Sequence, residues 1–479
     1  MSGSLDKGGG AVGSRAGESQ GFGALVFGLF FGLFFGFSWV VFLGWVGVQL
    51  KKNHSAATFA DKLIWHSKPQ KFFSRNVLMK SVSSRFEKSG RSLVLLLSAV
   101  GVASGISALA AVDPGVTDSE ITIGSSLPLE GPFLFVGQET KRGMEAYFAS
   151  VNAAGGVNGR KIKLVTYNDG YEPVPCVQNT QKLIDEDKVF ALTSYVGTPT
   201  SVKAQKVWQG KSVPAVGFYT GAKALRDPFN AYNIHVRASY GAEAESIIEA
   251  FTGKAGTKKV AIFYQNDAFG EAVKGATEAA LTKRSMTPVA YGTYERNTLD
   301  IDKGLNDIKG SAPDAIVMVG TYAPLAKFVK AAKAAGLSKA LFHTVSFVGP
   351  EAFAKELGAD AGNTFVTQVM PPYTDQSQPL VKEYLAALKK HAPSAPPTFP
   401  SFEAYANAKI LVEGIKRAGK DLTREGMIKG IQSISSGAGS VGLPVEYGAT
   451  DHEGMTSVYI THIKAGAYDV VKDWASYKR

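Results

Sequence analysis

From residue 120 onward, short β-rich segments alternate with amphipathic helical segments, and this alternation constrains the fold more than any other feature of the sequence. In the first block, helices are predicted at 138–153, 177–186 and 199–209. They lie between four predicted strands: "EITIGSSLPL", "KIKLVTYND", "VFALTSYV" and "VPAVGFYTG". Strands that alternate with helices of this length are typical of a parallel α/β sheet.

The same alternation begins again near residue 240. Helices predicted at 240–253, 268–283, 300–310 and 323–336 alternate with the strands "KKVAIFYQND", "TPVAYGTYE", "DAIVMVGT" and "ALFHTVSF". Because one hydrophobic core rarely serves a chain of this length, the two blocks predict two Rossmann-like lobes. Three further helices, near 379–391, 402–418 and 423–434, precede a predicted strand pair, "VEYG" and "MTSVYITHI".

Two apolar segments precede the α/β part. Residues 22–50 carry no charge and are long enough to span a bilayer. Residues 79–110 begin with a basic stretch, continue into an apolar run and end in Ala-Leu-Ala, which is the pattern of a secretory signal. Cleavage is expected after Ala110, so the mature chain is expected to begin at Ala111.

Two interpretations of residues 1–78 remain open. In the first, residues 22–50 anchor an unprocessed form, with the basic residues 51–91 kept in the cytoplasm by the positive-inside rule. In the second, which we favour, translation begins at Met79 and residues 1–78 are an over-long gene call. Both interpretations predict export of the α/β part to the periplasm.

Charge and cysteine content exclude several classes of protein. The net charge is +11, but twelve Lys/Arg and four Asp/Glu lie before Ala111, which leaves 40 basic and 37 acidic residues after it. The near balance of that remainder, without a basic stripe, argues against nucleic-acid binding. The single cysteine, Cys176, excludes an intramolecular disulfide and a multi-cysteine metal site. Nucleophile-elbow, Walker and zinc-protease motifs do not occur in the sequence.

The ends of the predicted strands indicate where a ligand binds, since parallel α/β sheets bind ligands beyond the carboxyl ends of their strands. These ends are rich in aromatic residues, hydroxyls and glycine. Gly197 and Thr198 precede a proline at a predicted helix start, where backbone N–H groups and the helix dipole favour a carboxylate. Thr220 offers a further hydroxyl at the next strand end, and Phe269 and Tyr322 of the second block are candidates to close over an apolar ligand.

The order and spacing of several segments resemble the type I periplasmic binding proteins, specifically the leucine/isoleucine/valine-binding family of ABC-transporter receptors. The resemblance covers residues 119–479. It is carried by "ITIGSSLPLEGPFLFVGQETKRGMEAYFASVNAAGGVNGRKIKLVTYND", "VPAVGFYTGA", "KVAIFYQNDAFG", "DAIVMVGTYAPLAKFVKAAKAAGL" and "DHEG". The stretch "AAGGVNGR" matches the turn that joins the first helix of that family to its second strand, and its glycines are expected to cap the helix.

The resemblance implies two lobes joined by three chain crossings, with a ligand cleft between the lobes. The crossings are expected near Arg237, 369–373 and 437–447. The lobes are expected to comprise 119–237 with 373–437, and 238–372 with 438–479. The implied function is a non-enzymatic receptor that binds a small amino acid or related carboxylate and delivers it to the permease and ATPase subunits of an ABC importer. No cofactor, metal or nucleic acid is implied.

One position departs from the family pattern. The acidic residue that pairs with the ammonium of an amino-acid ligand falls at Ser346, so an aromatic or aliphatic carboxylate, or an amide, becomes a rival ligand class. The full set of expected ligand-binding residues is Phe135, Asp169, Tyr195, Gly197, Thr198, Phe218, Tyr219, Thr220, Phe269, Tyr322 and Ser346.

Two rival functions remain. A ligand-sensing domain of the same fold, feeding a signalling partner, would retain a membrane anchor. A hydrolase or oxidoreductase on an α/β scaffold is disfavoured because the sequence lacks the nucleophile and cofactor motifs of those enzymes.

Overall fold

The structure is a computed structural model that describes residues 113–435 and 441–479. The apolar segment 22–50, the signal segment 79–110 and the expected hinge residue Gly437 lie outside the described residues. Within the described part, two β-sheets are each flanked by helices, which confirms the predicted α/β class. No helix in these two ranges combines the length and hydrophobicity that crossing a bilayer requires.

The first sheet has five parallel strands in the order β2-β1-β3-β4-β5. The strands are β1 (Glu120–Leu127), β2 (Lys161–Asn168), β3 (Ala191–Thr193), β4 (Ala215–Val216) and β5 (Asn233–Ile234). The helices that follow β1, β2 and β3 are α1 (Leu134–Ala153), α2 (Pro173–Asp185) and α3 (Thr198–Gly210). This sheet and its helices form what we call the first lobe.

The second sheet has seven strands, of which five are parallel and the last two antiparallel. Its strands are β6 (Val260–Gln265), β7 (Ala290–Tyr294), β8 (Ala315–Val319), β9 (Leu341–Thr344), β10 (Thr364–Gln368), β11 (Tyr459–Lys464) and β12 (Ala467–Val470). Its helices are α4 (Tyr240–Glu249), α5 (Ala268–Thr282), α6 (Asp302–Lys309), α7 (Tyr322–Ala332) and α8 (Pro350–Leu357). We call this unit the second lobe.

Three later helices return to the first lobe. They are α9 (Pro379–His391), α10 (Phe399–Ala418) and α11 (Arg424–Gln432). Helix α10 packs between α1 and α11 and also contacts β3 and β4. The chain therefore passes between the two sheets three times: at 235–239, at 369–378 and in the segment that leads from α11 to β11.

Several boundaries differ from the sequence prediction. The segment "VEYG" does not form a strand: its Gly448 makes a single bridge to Asp451, and Glu453, which follows, bridges to His235 of the first crossing. Strand β11 pairs with β10 and β12. Helix α10 begins at Phe399, inside the proline-rich segment 391–400, because proline is accepted in the first turn of a helix.

The glycines after α1 cap that helix, as the resemblance implies: Gly155 has a φ of 106°, and the Gly156 N–H donates to the Val151 carbonyl at 2.9 Å. Asn158 and Gly159 have φ values of 52° and 86°, which is the pair of positive values that a type I′ turn requires. Val157 and Arg160 form a two-residue antiparallel bridge on either side of that turn. Local sequence signals therefore determine this helix, turn and strand. The residues after β2 lie at the edge of the sheet where the carboxyl ends of the strands meet.

Candidate functional site

The start of α3 lies beside the end of β4. Tyr219 donates its backbone N–H to the Tyr195 carbonyl at 2.8 Å, and Gly197 donates to the Tyr219 carbonyl at 3.3 Å, so the two chain segments stay paired beyond the strands. This pairing brings the hydroxyls of Thr198 and Thr220 within 2.7 Å of each other. Both side chains are buried.

Gly197 is required at the start of α3 for two reasons. Its φ is 104°, in the region that favours glycine. A Cβ at this position would also lie 2.4 Å from the Tyr171 ring. Within the described residues, no side chain caps this helix. The start of α3 and the Thr198–Thr220 hydroxyl pair together form what we call the hydroxyl seat, at the end of the helix where the dipole is positive and favours negative charge.

Aromatic rings from both lobes meet beside the hydroxyl seat. Phe347, which follows β9, has its ring centroid 4.4 Å from Phe269 and 5.0 Å from Phe133. Its centroid is also 5.6 Å from Tyr219 and 5.9 Å from Tyr171. These five residues, which we call the aromatic cluster, are buried and join the cores of the two lobes.

The aromatic cluster is covered on one side by two further rings. Tyr322, at the start of α7, stacks on Phe133 with centroids 5.9 Å apart. Phe135 meets Tyr322 edge-on at 6.3 Å. Since Phe135 belongs to the first lobe and Tyr322 to the second, this contact closes the space between the lobes.

Ser346 is held by a buried charged network. Its backbone N–H donates to Glu243 at 2.8 Å and its hydroxyl donates to the same carboxylate at 3.0 Å. Thr367 donates to Glu243 at 2.6 Å, and the Arg237 guanidinium contacts both Glu243, at 3.2 Å, and the Ser346 hydroxyl. Burial raises the pKa of Glu243, against the opposing effect of Arg237.

Arg237 occupies the first chain crossing and connects the lobes. Its guanidinium lies 3.5 Å from Glu403 of α10, and it packs against the rings of Tyr219 and Tyr240 at 5.3 and 5.8 Å. Burial raises the pKa of Glu403 to about 7, although Arg237 acts in the opposite direction. The network thus extends from first-lobe Glu403 through the crossing to second-lobe Ser346.

A second set of polar contacts joins the lobes at the ends of β2 and β7. Arg296 donates to Glu172 at 2.7 Å and to Asp267 at 3.2 Å. Asn297 donates to Glu172 at 2.7 Å. Because Glu172 belongs to the first lobe and the other residues to the second, the two bonds to Glu172 hold the lobes together.

Most of the site residues expected from the sequence come together here. The hydroxyl seat contains Gly197, Thr198 and Thr220, and the aromatic contacts include Phe135, Tyr219, Phe269 and Tyr322. Ser346 lies behind Phe347, where its hydroxyl and N–H are already used by Glu243.

Three expected residues do not join this group. Tyr195 and Phe218 lie in the core of the first lobe, where both pack against Trp208. The reason is the alternation of side chains along a strand, which places Val196 and Tyr219 on the opposite face. Asp169 accepts bonds from Ser126 at 2.7 Å and from the Tyr171 N–H at 2.9 Å, and burial raises its pKa to about 6.

Sequence reasoning places a chain crossing near Arg237, but it missed Phe347, Phe133 and the ion pair that Arg237 forms with Glu243. Phe133 lies two residues before Phe135, and which of the two rings is buried depends on where α1 begins. Arg237 and Glu243 carry no sequence signal, because a charged residue in a loop or on a helix is usually solvated.

No group of three or more His, Cys, Asp or Glu side chains in the described ranges is placed to hold a metal ion. Cys176 is buried, and burial raises the pKa of its thiol. A groove of about 1040 Å³ lies between the first lobe at 221–227 and the α4–α5 surface of the second lobe. Tyr240 lines this groove and donates its backbone N–H to the carbonyl of Gly221, the residue after Thr220, at 2.9 Å.

The sequence and the fold are similar to those of known binding proteins. The family described as "Periplasmic binding protein" matches residues 120–467. A "Leu/Ile/Val-binding protein homolog 7" from Brucella suis biovar 1 is 24% identical over 322 residues, covering 62% of this chain and 77% of that protein.

Two solved structures share the fold. A possible leucine/isoleucine/valine-binding protein from Rhodopirellula baltica SH 1 has a TM-score of 0.70 and 31% identity, and the match covers 74% of this chain and 96% of that one. A substrate-binding periplasmic protein from Ralstonia solanacearum has a TM-score of 0.69 and 25% identity, with 73% and 99% covered. The chain therefore belongs to the type I periplasmic binding proteins of the Leu/Ile/Val-binding family, which are binding proteins and not enzymes.

Proposed function

We propose that this protein is the periplasmic solute receptor of an ABC importer of the branched-chain-amino-acid type, and that its ligand is a small carboxylate without an α-ammonium group. The observation that carries the ligand class is the hydroxyl seat. Thr198 and Thr220 place two hydroxyls at the positive end of α3, where a ligand carboxylate would accept hydrogen bonds from them and from backbone N–H groups.

The absence of an ammonium group is inferred from the acids around the cleft. Glu243 accepts four contacts from Ser346, Thr367 and Arg237. Glu172 and Asp267 are paired with Arg296. An ammonium that approached any of these carboxylates would compete with bonds that the protein already makes, and a buried charge without a partner costs several kcal/mol.

Delivery to an importer is inferred from the family and from the signal-like segment 79–110. The receptor is expected in the periplasm, beginning at Ala111, with a permease and an ATPase as partners. The lobes that move are proposed to be 119–237 with 373–437, and 238–372 with 438–479. Mapping the N-terminus of the exported protein tests this part: a mature protein that retains residues 22–50 in the membrane would favour a sensing role.

The ligand class is tested with matched pairs of acids. Calorimetry compares leucine with 4-methylpentanoate, and phenylalanine with 3-phenylpropanoate. We expect the acid without the ammonium to bind more tightly in each pair. Tighter binding of the amino acid in both pairs would overturn the proposed ligand class. Mass spectrometry of the molecule released from the purified protein by denaturation would then identify the ligand directly.

A further inference from the structure

Phe347 lies where the two lobes meet, at the centre of the aromatic cluster. Its ring is buried and contacts Phe133, Tyr171 and Tyr219 of the first lobe as well as Phe269 of its own lobe. Centroid distances of 4.4–5.9 Å are those of rings in direct contact. These contacts leave no room for a ligand between Phe347 and its four neighbours.

The backbone before Phe347 is held at both the N–H and the carbonyl group of Ser346. The Ser346 N–H donates to Glu243 at 2.8 Å, and the Ser346 carbonyl accepts a bond from the Tyr219 hydroxyl at 3.2 Å. Ser346, Phe347 and Val348 form a single 3₁₀ turn, which ends at Gly349 with a φ of 82°. A ring on such a turn cannot move away without breaking buried hydrogen bonds.

Glu243 is itself fixed by residues from two other elements. Thr367 of β10 donates to one carboxylate oxygen at 2.6 Å, and Arg237 of the first crossing lies 3.2 Å from the other. All three side chains are buried. A buried ion pair held by additional hydrogen bonds is costly to rearrange, so the network holds the turn, and with it Phe347, in one position.

We infer that Phe347 sets the size of the ligand, that Glu243, Arg237 and Thr367 position it, and that the receptor accepts short-chain carboxylates. This inference rests on the proposed function, because it assumes that a carboxylate occupies the hydroxyl seat. Phe347 packs on the ring of Tyr219, whose carbonyl accepts the Gly197 N–H at the hydroxyl seat, so a longer apolar chain that left the seat on this side would meet the ring of Phe347.

The groove beside Tyr240 offers a different path for a long chain. It is lined by alanine and glycine residues of α5, and a Cβ at Gly275 would meet open space. A ligand whose chain extends into this groove would not be limited by Phe347. If the chain meets Phe347, affinity should fall as the chain lengthens. If the chain lies in the groove, affinity should rise with its length.

The test measures the dissociation constants of butanoate and octanoate by calorimetry. In the unmodified protein we expect octanoate to bind at least about 10-fold more weakly than butanoate. Phe347→Ala removes the ring, so octanoate should then bind about 10-fold more tightly than it does to the unmodified protein, since each buried methylene favours binding. Phe347→Leu should give an intermediate ratio and covers the case in which the alanine variant does not fold.

Positioning is tested with one pair of matched variants. Thr367→Val removes a hydrogen bond to Glu243. It should shift the ratio of the octanoate and butanoate dissociation constants about 3-fold toward the ratio of Phe347→Ala. Thr461→Val changes a buried threonine of the neighbouring strand, whose hydroxyl donates to the Val366 carbonyl, and should leave the ratio unchanged. If Thr367 has a purely structural role, Thr367→Val should weaken the binding of both acids equally, and this result would overturn the positioning role.

Two outcomes overturn the inference. Tighter binding of octanoate than butanoate by the unmodified protein, lost in Gly275→Leu, would place the chain in the groove and leave the carboxylate seat intact. Failure of both acids to bind the unmodified protein and both Phe347 variants would overturn the proposed function itself, and with it this inference.

Discussion

The two lobes contribute to the cleft in different ways. The first lobe offers the hydroxyl seat, in which two threonines and the start of α3 lie at the ends of β3 and β4. The second lobe offers Phe347, whose position depends on Glu243, Thr367 and the crossing residue Arg237. The first contribution is made by backbone geometry and hydroxyls, and the second by a packed ring and buried charges.

This difference separates recognition from selection. A helix start and neutral hydroxyls bind a carboxylate whatever is attached to it, because they contact only the oxygens. A ring held in the interlobe space acts on the remainder of the ligand, through volume. Under the proposed function, the first lobe would determine which functional group binds, and the second would determine how large the molecule attached to it can be.

The largest expected effect comes from breaking the charged network. Arg237→Met leaves Glu243 buried beside Glu403 without their shared cation, so the free energy of unfolding should fall by about 3–5 kcal/mol. Arg284→Met is the matched control, since Arg284 pairs with Glu245 near the surface. That control should cost about 1 kcal/mol or less. Urea unfolding measures both; equal losses would show that the network is no more important than a surface pair.

The second effect is a pH dependence that arises from Glu351 of α8, a second-lobe carboxyl that contacts the first lobe. Burial raises the pKa of Glu351 to about 7, and its carboxylate accepts the Phe399 N–H of the first lobe at 2.9 Å. A raised carboxyl pKa stabilises the folded state fully below about pH 4.5, and this contribution is lost as the pH rises through 7. The loss is about 3 kcal/mol at most.

Glu351→Gln keeps the shape and removes the titration. The decrease in unfolding free energy between pH 5 and pH 7.5 should therefore be smaller in this variant than in the unmodified protein. Glu425, which pairs with Lys429 on the surface of α11, is the control position, and Glu425→Gln should retain the original pH profile. An unchanged profile in Glu351→Gln would assign the pH dependence to other groups.

Most of the fold and the hydroxyl seat could be predicted from the sequence, because the signals are local. The strand–helix alternation follows from residue patterns of short range, and proline after Gly197-Thr198 indicates a helix start. The type I′ turn at Asn158-Gly159 is an equally local signal.

The second-lobe contribution could not be predicted in the same way. Glu243 is separated in sequence from Ser346 by 103 positions and from Thr367 by 124 positions. The three residues meet only when α4, the end of β9 and β10 pack together. The sequence predicts Tyr195 and Phe218 in the cleft because they lie close to Thr198 and Thr220 along the chain. A shift of one residue along a strand, however, reverses the direction of a side chain. Proximity in sequence identified the seat but not which rings face it.

The third effect sharpens the role of the hydroxyl seat. Thr220→Val keeps the shape of the side chain and removes its hydroxyl, so a bond to the ligand carboxylate is lost and the affinity should fall by about 1–3 kcal/mol, or roughly 5- to 150-fold. Thr180→Val is the control, because the Thr180 hydroxyl contacts Tyr195 at 2.9 Å, away from the seat. Calorimetry with the identified ligand measures both; an unchanged dissociation constant in Thr220→Val would place Thr220 outside the site.

The smallest effect concerns the ion pair between Arg296, which follows β7, and Glu172 of the first lobe. Arg296 and Glu172 are both partly exposed, so their ion pair is screened by solvent and should contribute about 1 kcal/mol or less to closure. Arg296→Ala should therefore weaken ligand binding by no more than about 5-fold, and raising the salt concentration from 0.05 to about 0.5 M should reduce that difference. Lys303→Ala, which breaks an ion pair within α6 alone, should not change affinity. A loss for Arg296→Ala as large as that for Thr220→Val, and insensitive to salt, would mean that Arg296 contacts the ligand, and recognition would then be shared by both lobes.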